Sequence, residues 1–161
     1  MVIEREESGE ARLTLNLKCE GVLFQYSHNK SFVFSNKKRA DGILFFQEES
    51  GWKVLIIELK RTVKAKEWSK VKEQWHGAWH HALALSGVLE AAFTRPPRFL
   101  LAYRKAGISE DSADPVLLKE PEAALAFIEW NNGLAEIEEI GAIAFEKVPL
   151  DENGVSDIVV P

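Results

Sequence analysis

Asp41 and the tripeptide Glu58-Leu59-Lys60 are the residues of this chain whose types and spacing best suit chemistry. They frame two apolar runs, Ile43-Leu44-Phe45-Phe46 and Val54-Leu55-Ile56-Ile57, joined by the polar stretch Gln47-Glu48-Glu49-Ser50-Gly51. That stretch has the length and composition of a hairpin connection. Strand side chains alternate between faces, so Glu58 and Lys60 share a face with Val54 and Ile56, and Asp41 stands at the start of the partner strand. Two carboxylates and one ammonium at one end of a hairpin can bind a hard divalent cation and keep a second positive charge beside it. A cation held this way would assist attack on a phosphodiester. A Glu-x-Lys pair on an open strand face is ordinarily just solvated. Here the pair closes an apolar run that reads as a buried strand, where charges occur when paired or bound to metal.

The elements that must position these groups follow from periodicity. Residues 11–18 alternate strictly, which predicts a strand with Leu13, Leu15 and Leu17 inward. Residues 21–26 and 31–35 are short and β-prone, and are expected to pair across Ser27-His28-Asn29-Lys30. After the hairpin, residues 66–90 carry Trp68, Val71, Trp75, Ala78, Trp79, Ala82, Leu83, Leu85 and Leu89 on one broad stripe, the pattern of a long amphipathic helix. Pro96 and Pro97 break the chain, and residues 98–104 read as a central strand. Residues 105–119 read as a loop. Pro121 opens a helix to about Trp130, which Asn131-Asn132-Gly133 stops. Strands are expected at 142–148 and 157–160. This order predicts an α/β protein, a mixed central β-sheet flanked by helices, in one domain spanning residues 1–161.

The chain has 161 residues, 46% of them hydrophobic and 28% charged, with a net charge of −5. No apolar run is long enough to span a membrane, and the acidic start Glu4-Arg5-Glu6-Glu7 lacks the apolar core of a secretion signal. The single Cys19 excludes an internal disulfide framework. A cytoplasmic location is the expectation. Charge is unevenly spread: from Lys30 to His81 there are eleven Lys and Arg against six Asp and Glu. A locally basic segment can collect a polyanion even on an acidic protein.

The pattern Asp41, then Glu58-Leu59-Lys60, then a helix carrying Gln74, resembles the PD-(D/E)xK nuclease superfamily over roughly residues 39–104. The resemblance implies a restriction-endonuclease-like core and a Mg²⁺-dependent (or Mn²⁺-dependent) endo- or exonuclease. It implies that Asp41, Glu58 and the main-chain oxygen of Leu59 bind metal, that Lys60 assists the chemistry, and that Gln74 supports it. RecB-like members carry such a glutamine followed four residues later by a tyrosine; Ala78 stands there in this chain, and Ala40 replaces the proline before Asp41. Many members add a glutamate from upstream, for which Glu10 and Glu20 are both open.

Lys37, Lys38, Arg39, Arg61, Lys64, Lys66 and Lys70 lie around these residues in sequence and are the candidates for phosphate contacts, with DNA favoured over RNA as the partner. His76 and His80, four apart on one helical face, have a workable metal-ligand spacing. The glutamate of a zincin-type sequence is absent, and the pair reads as surface histidines at a contact. The tryptophans of the long helix read as core or homodimer contacts rather than as a base-stacking platform. A catalytically inactive module that binds nucleic acid or a protein partner is the alternative function. A subunit-interface role for the Trp-rich helix is a third.

Overall fold

In the computed structural model, residues 1–6, 9–25, 38–93, 96–111 and 119–160 are described. In chain order the strands are β1 (Val2–Glu6), β2 (Gly9–Leu17), β3 (Gly21–Phe24), β4 (Gly42–Glu48), β5 (Gly51–Thr62), β6 (Arg98–Lys105), β7 (Leu134–Ile137), β8 (Gly141–Pro149) and β9 (Val155–Val160). The helices are α1 (Trp68–Val88), α2 (Gly107–Asp111) and α3 (Pro121–Asn132).

The central sheet has six strands in the order β3-β4-β5-β6-β8-β7. Its β3-β4-β5 part and its β7-β8 edge are antiparallel, while β5, β6 and β8 run parallel. The sheet is therefore mixed, as expected, and the strand at 98–105 is central. The hairpin turn is tighter than the polar stretch suggests. Glu48 already pairs with Gly51, leaving Glu49-Ser50 as the loop. Gly51 has φ 106°, a conformation open to glycine and strained for other residues. Gln47 and Glu48 can extend the ladder because backbone pairing at a hairpin tip does not require apolar side chains.

One face of the sheet carries the helices. Ile43, Phe45, Val54, Ile56, Phe99 and Leu101 pack against Trp68, Val71, Trp75, Ala78, Ala82 and Leu85 of α1 and against Ala126 and Trp130 of α3. Trp68 and Trp75 meet edge to face with ring centroids 5.9 Å apart, and Trp68 meets Trp130 the same way at 6.0 Å. Trp68 and Trp75 are thus core residues, while Trp79 is half-buried beside Phe93. Glu129 of α3 is buried among them. It accepts hydrogen bonds from the Trp68 indole, from Lys72 and from the backbone N–H of Glu136 at 2.8 Å.

The other face differs from the expectation of flanking helices. Among the described residues it is covered by a second sheet of three strands, β1-β2-β9. Leu13 and Leu15 of β2, with Val2 and Val160, pack onto Leu44, Phe46, Leu55, Ile57 and Leu59. The strict alternation in β2 supplies that inward row, and β9 pairs with it in parallel across a long sequence separation.

Several boundaries move. The long helix starts at Trp68 after a 3₁₀ turn, Ala65–Glu67, and ends at Val88. The stretch read as loop contains α2, where Ile108 is fully buried and its N–H donates to the Val63 carbonyl at 2.6 Å. The stop of α3 is as read: Gly133 takes the left-handed conformation, φ 64°, at the helix end. The predicted strand at 31–35 and its turn lie outside the described residues. No helix among the described residues is long and apolar enough to cross a membrane.

Candidate metal and nucleic-acid site

The β4–β5 hairpin aligns the residues singled out above. Its last pair is Gly42 with Ile57, so the next step of the same register brings Asp41 abreast of Glu58. Residues directly opposite in an antiparallel pair share a face. The face is that of Ile43, Val54 and Ile56, which is covered by α1. Beyond the last paired residue of β4, the Asp41 carboxylate replaces the strand backbone as acceptor: Leu59 N–H donates to Asp41 Oδ2 at 2.7 Å. A carboxylate from one strand end is thereby fixed against the central residue of the Glu-Leu-Lys tripeptide.

Glu58 is 0% exposed, and the Lys60 ammonium donates to its Oε1 on the same face of β5. Burial this deep penalises a charged carboxylate unless positive charge lies close by. Lys60 supplies such charge, and its side chain is 16% exposed. Asp41 is half-buried. The group is thus reached from the Asp41–Lys60 side rather than through Glu58.

Gln74 of α1 comes to the same strand end. Its Nε2 donates to the Arg39 carbonyl at 3.5 Å, a long contact, two residues before Asp41. Its Oε1 is buried and has no hydrogen-bond partner among the described residues. A buried amide oxygen of this kind calls for a donor such as a bound water. His81, one side of α1 further along, is 1% exposed. Burial, then the Arg39 guanidinium and His80, push its pKa below the ordinary value of 6.5.

The donor set fits a hard cation. Asp41 and Glu58 offer carboxylate oxygens, the Leu59 carbonyl is the main-chain oxygen between Glu58 and Lys60, and Gln74 Oε1 lacks a donor among the described residues. Mg²⁺ takes oxygen ligands of this type and keeps several waters, for which an orphaned amide oxygen is a suitable acceptor.

The basic residues are dispersed. Arg61, Lys64, Lys66 and Lys70 are exposed along the end of β5, its connection to α1 and the first turn of α1. Lys38 is exposed but forms an ion pair with Glu73, and Arg39 is half-buried. Lys37 lies outside the described residues. Neither upstream glutamate joins the group. Glu10 forms an ion pair with Arg12 at 2.7 Å in the three-stranded sheet, on the opposite side of the central sheet. Glu20 is exposed, and its carbonyl accepts from Gln47 N–H at the turn end of β4, far from Asp41.

Sequence reasoning passed over one carboxylate. Glu139, in the β7–β8 turn, places Oε2 2.9 Å from His80 Nε2 and 3.4 Å from His76 Nε2. The histidine spacing was legible; the turn residue that meets it lies about sixty positions away and carries no local signal. No family model matches the chain, and neither the curated proteins nor the solved structures contain a match.

Proposed function

We propose that the chain is a metal-dependent nuclease of the PD-(D/E)xK type with a restriction-endonuclease-like core, hydrolysing nucleic-acid phosphodiesters, with DNA favoured, in the cytoplasm. The observation that carries this reading is the hydrogen bond from Leu59 N–H to Asp41, which joins both halves of the acidic pattern beside the Glu58–Lys60 pair. Asp41, Glu58 and the Leu59 carbonyl would hold Mg²⁺ or Mn²⁺. When bound, the ion lowers the pKa of a coordinated water and offsets phosphoryl charge. Lys60 holds a positive charge where negative charge develops on the phosphate oxygens. Gln74 would accept a hydrogen bond from water through the oxygen that lacks a donor among the described residues, and so orient it. Arg61, Lys64, Lys66 and Lys70 are exposed and would be the residues to meet backbone phosphates.

A catalytically inactive module is the second reading. It is favoured by the full burial of Glu58 against Lys60 and by the placement of Glu10 and Glu20. A digestion panel of DNA and RNA forms, run with Mg²⁺, Mn²⁺ and EDTA, separates the two. Cleavage that needs the divalent ion and is lost in both Asp41→Ala and Glu58→Ala is the expected result. Equal cleavage in EDTA, or no cleavage by wild-type protein that binds nucleic acid, refutes the nuclease reading.

A further inference from the structure

His76 and His80 project from one face of α1, and the β7–β8 turn lays Glu139 across them. One ligand atom from each of the three residues, a ring nitrogen or a carboxylate oxygen, lies within 4.8 Å of the other two. No other such group of three occurs among the described residues. Zinc bonds to nitrogen and oxygen at about 2.0–2.1 Å, which puts tetrahedral ligands roughly 3.3–3.4 Å apart. The His76–Glu139 separation, 3.4 Å, matches that edge, and the His80–Glu139 separation, 2.9 Å, is a hydrogen-bond contact somewhat shorter than it. The imidazole centroids are 4.5 Å apart with planes inclined by 57°, and both Nε2 atoms lie within hydrogen-bond reach of Glu139 Oε2.

The turn is built to deliver the carboxylate. Ile137 pairs with Gly141 across a three-residue loop, and Glu139 takes the left-handed conformation, φ 64°, uncommon for a residue with a side chain. His76 and His80 are only partly exposed, at 21% and 40%, so each ring is supported by α1 and its surroundings. Glu139 also borders an apolar hollow lined by Trp79, Leu83, Phe93, Pro96 and Ile140.

We propose that His76, His80 and Glu139 form a binding site for a zinc-class divalent cation, separate from the Asp41–Glu58 group. Two imidazole nitrogens and one carboxylate oxygen suit a borderline-soft ion such as Zn²⁺ and are a poor set for Mg²⁺. Three protein ligands leave a fourth position for water or an added ligand. The ion bridges α1 to the β7–β8 turn, so binding stabilises the fold by mass action.

The test is Zn²⁺ titration of tag-free, chelator-stripped protein by calorimetry and thermal melting, with Co²⁺ absorption as a report on geometry. The expected result is one Zn²⁺ per chain, a tetrahedral Co²⁺ spectrum, and a Tm rise of roughly 5–10 °C at a hundredfold excess over Kd. His76→Ala, His80→Ala and Glu139→Gln should each weaken binding at least tenfold with unchanged circular dichroism. Asp41→Asn should leave it intact. Failure of wild-type protein to bind Zn²⁺, or full affinity retained in any one of the three ligand variants, overturns the site. The surface position of Glu139 makes Glu139→Gln the variant least able to disturb folding.

Discussion

Replacing Lys60 by methionine isolates the electrostatics of the buried pair. The methionine keeps most of the length and removes the ammonium that donates to Glu58. Breaking a buried pair from one side costs about 3–5 kcal/mol. The lower end applies because Lys60 keeps 16% of its side-chain surface while Glu58 keeps none. For a chain of this size, about 3 kcal/mol corresponds to a Tm loss of roughly 6–12 °C. Glu58→Gln in the same background removes the charge that needs compensation, so the double variant should recover about 2 kcal/mol of coupling. Urea denaturation of the four proteins of the cycle, without divalent ions, gives the number directly. Saturating Mg²⁺ should raise the stability of Lys60→Met more than that of wild-type, since the cation takes over the role of the ammonium. A Lys60→Met protein within about 0.5 kcal/mol of wild-type would refute the claim that Lys60 supports the buried Glu58 carboxyl group.

Two other perturbations probe the packing around this region. Glu129→Ala leaves the Trp68 indole, Lys72 and the Glu136 N–H without their shared acceptor, and should lower stability by about 3 kcal/mol in urea melts, with Glu129→Gln losing less. His81 has a folded pKa below its ordinary 6.5, so the unfolded chain takes up its proton first as pH falls. Its contribution is complete above about 6.5 and is lost as pH drops from there towards the folded pKa. His81→Gln should remove that part of the acid limb, and equal pH slopes from 7.5 to 5 in the two proteins would rule the assignment out.

The parts of the fold that could be read from sequence are those with local signals. The apolar runs that follow Asp41 and lead to Glu58, the stripe of α1 and the Pro121 to Gly133 frame of α3 each lie within one contiguous window. β1 and β7 were missed for a common reason. Val2-Ile3-Glu4-Arg5-Glu6 and Leu134-Ala135-Glu136-Ile137 are too short or too charged to declare a strand, and their pairing partners define them. The cover over Leu44, Phe46 and Ile57 was misjudged because it depends on β1 and β2 docking onto a hairpin roughly thirty residues further on, with β9 added from the far end, which no window contains. The same division holds for the candidate site. Asp41 and Glu58 were expected to converge from strand parity and register, whereas the Leu59 N–H to Asp41 contact depends on where β4 stops. The partners of His76 and His80 depended on the β7–β8 turn.

The pairing of β2 with β9 has a temporal consequence. Arg12 through Leu17 find their partners at Val155 through Val160, so this contact closes across most of the polypeptide. During synthesis, the oily underside of the hairpin can emerge well before the strand that completes its cover. Long-range closure of this kind is slow relative to helix and hairpin formation. Until it happens, the cover that β1 and β2 lay over Phe46, Leu55 and Ile57 lacks Val160, and the unpaired edge of β2 is where a nascent chain would engage a chaperone or another copy of itself.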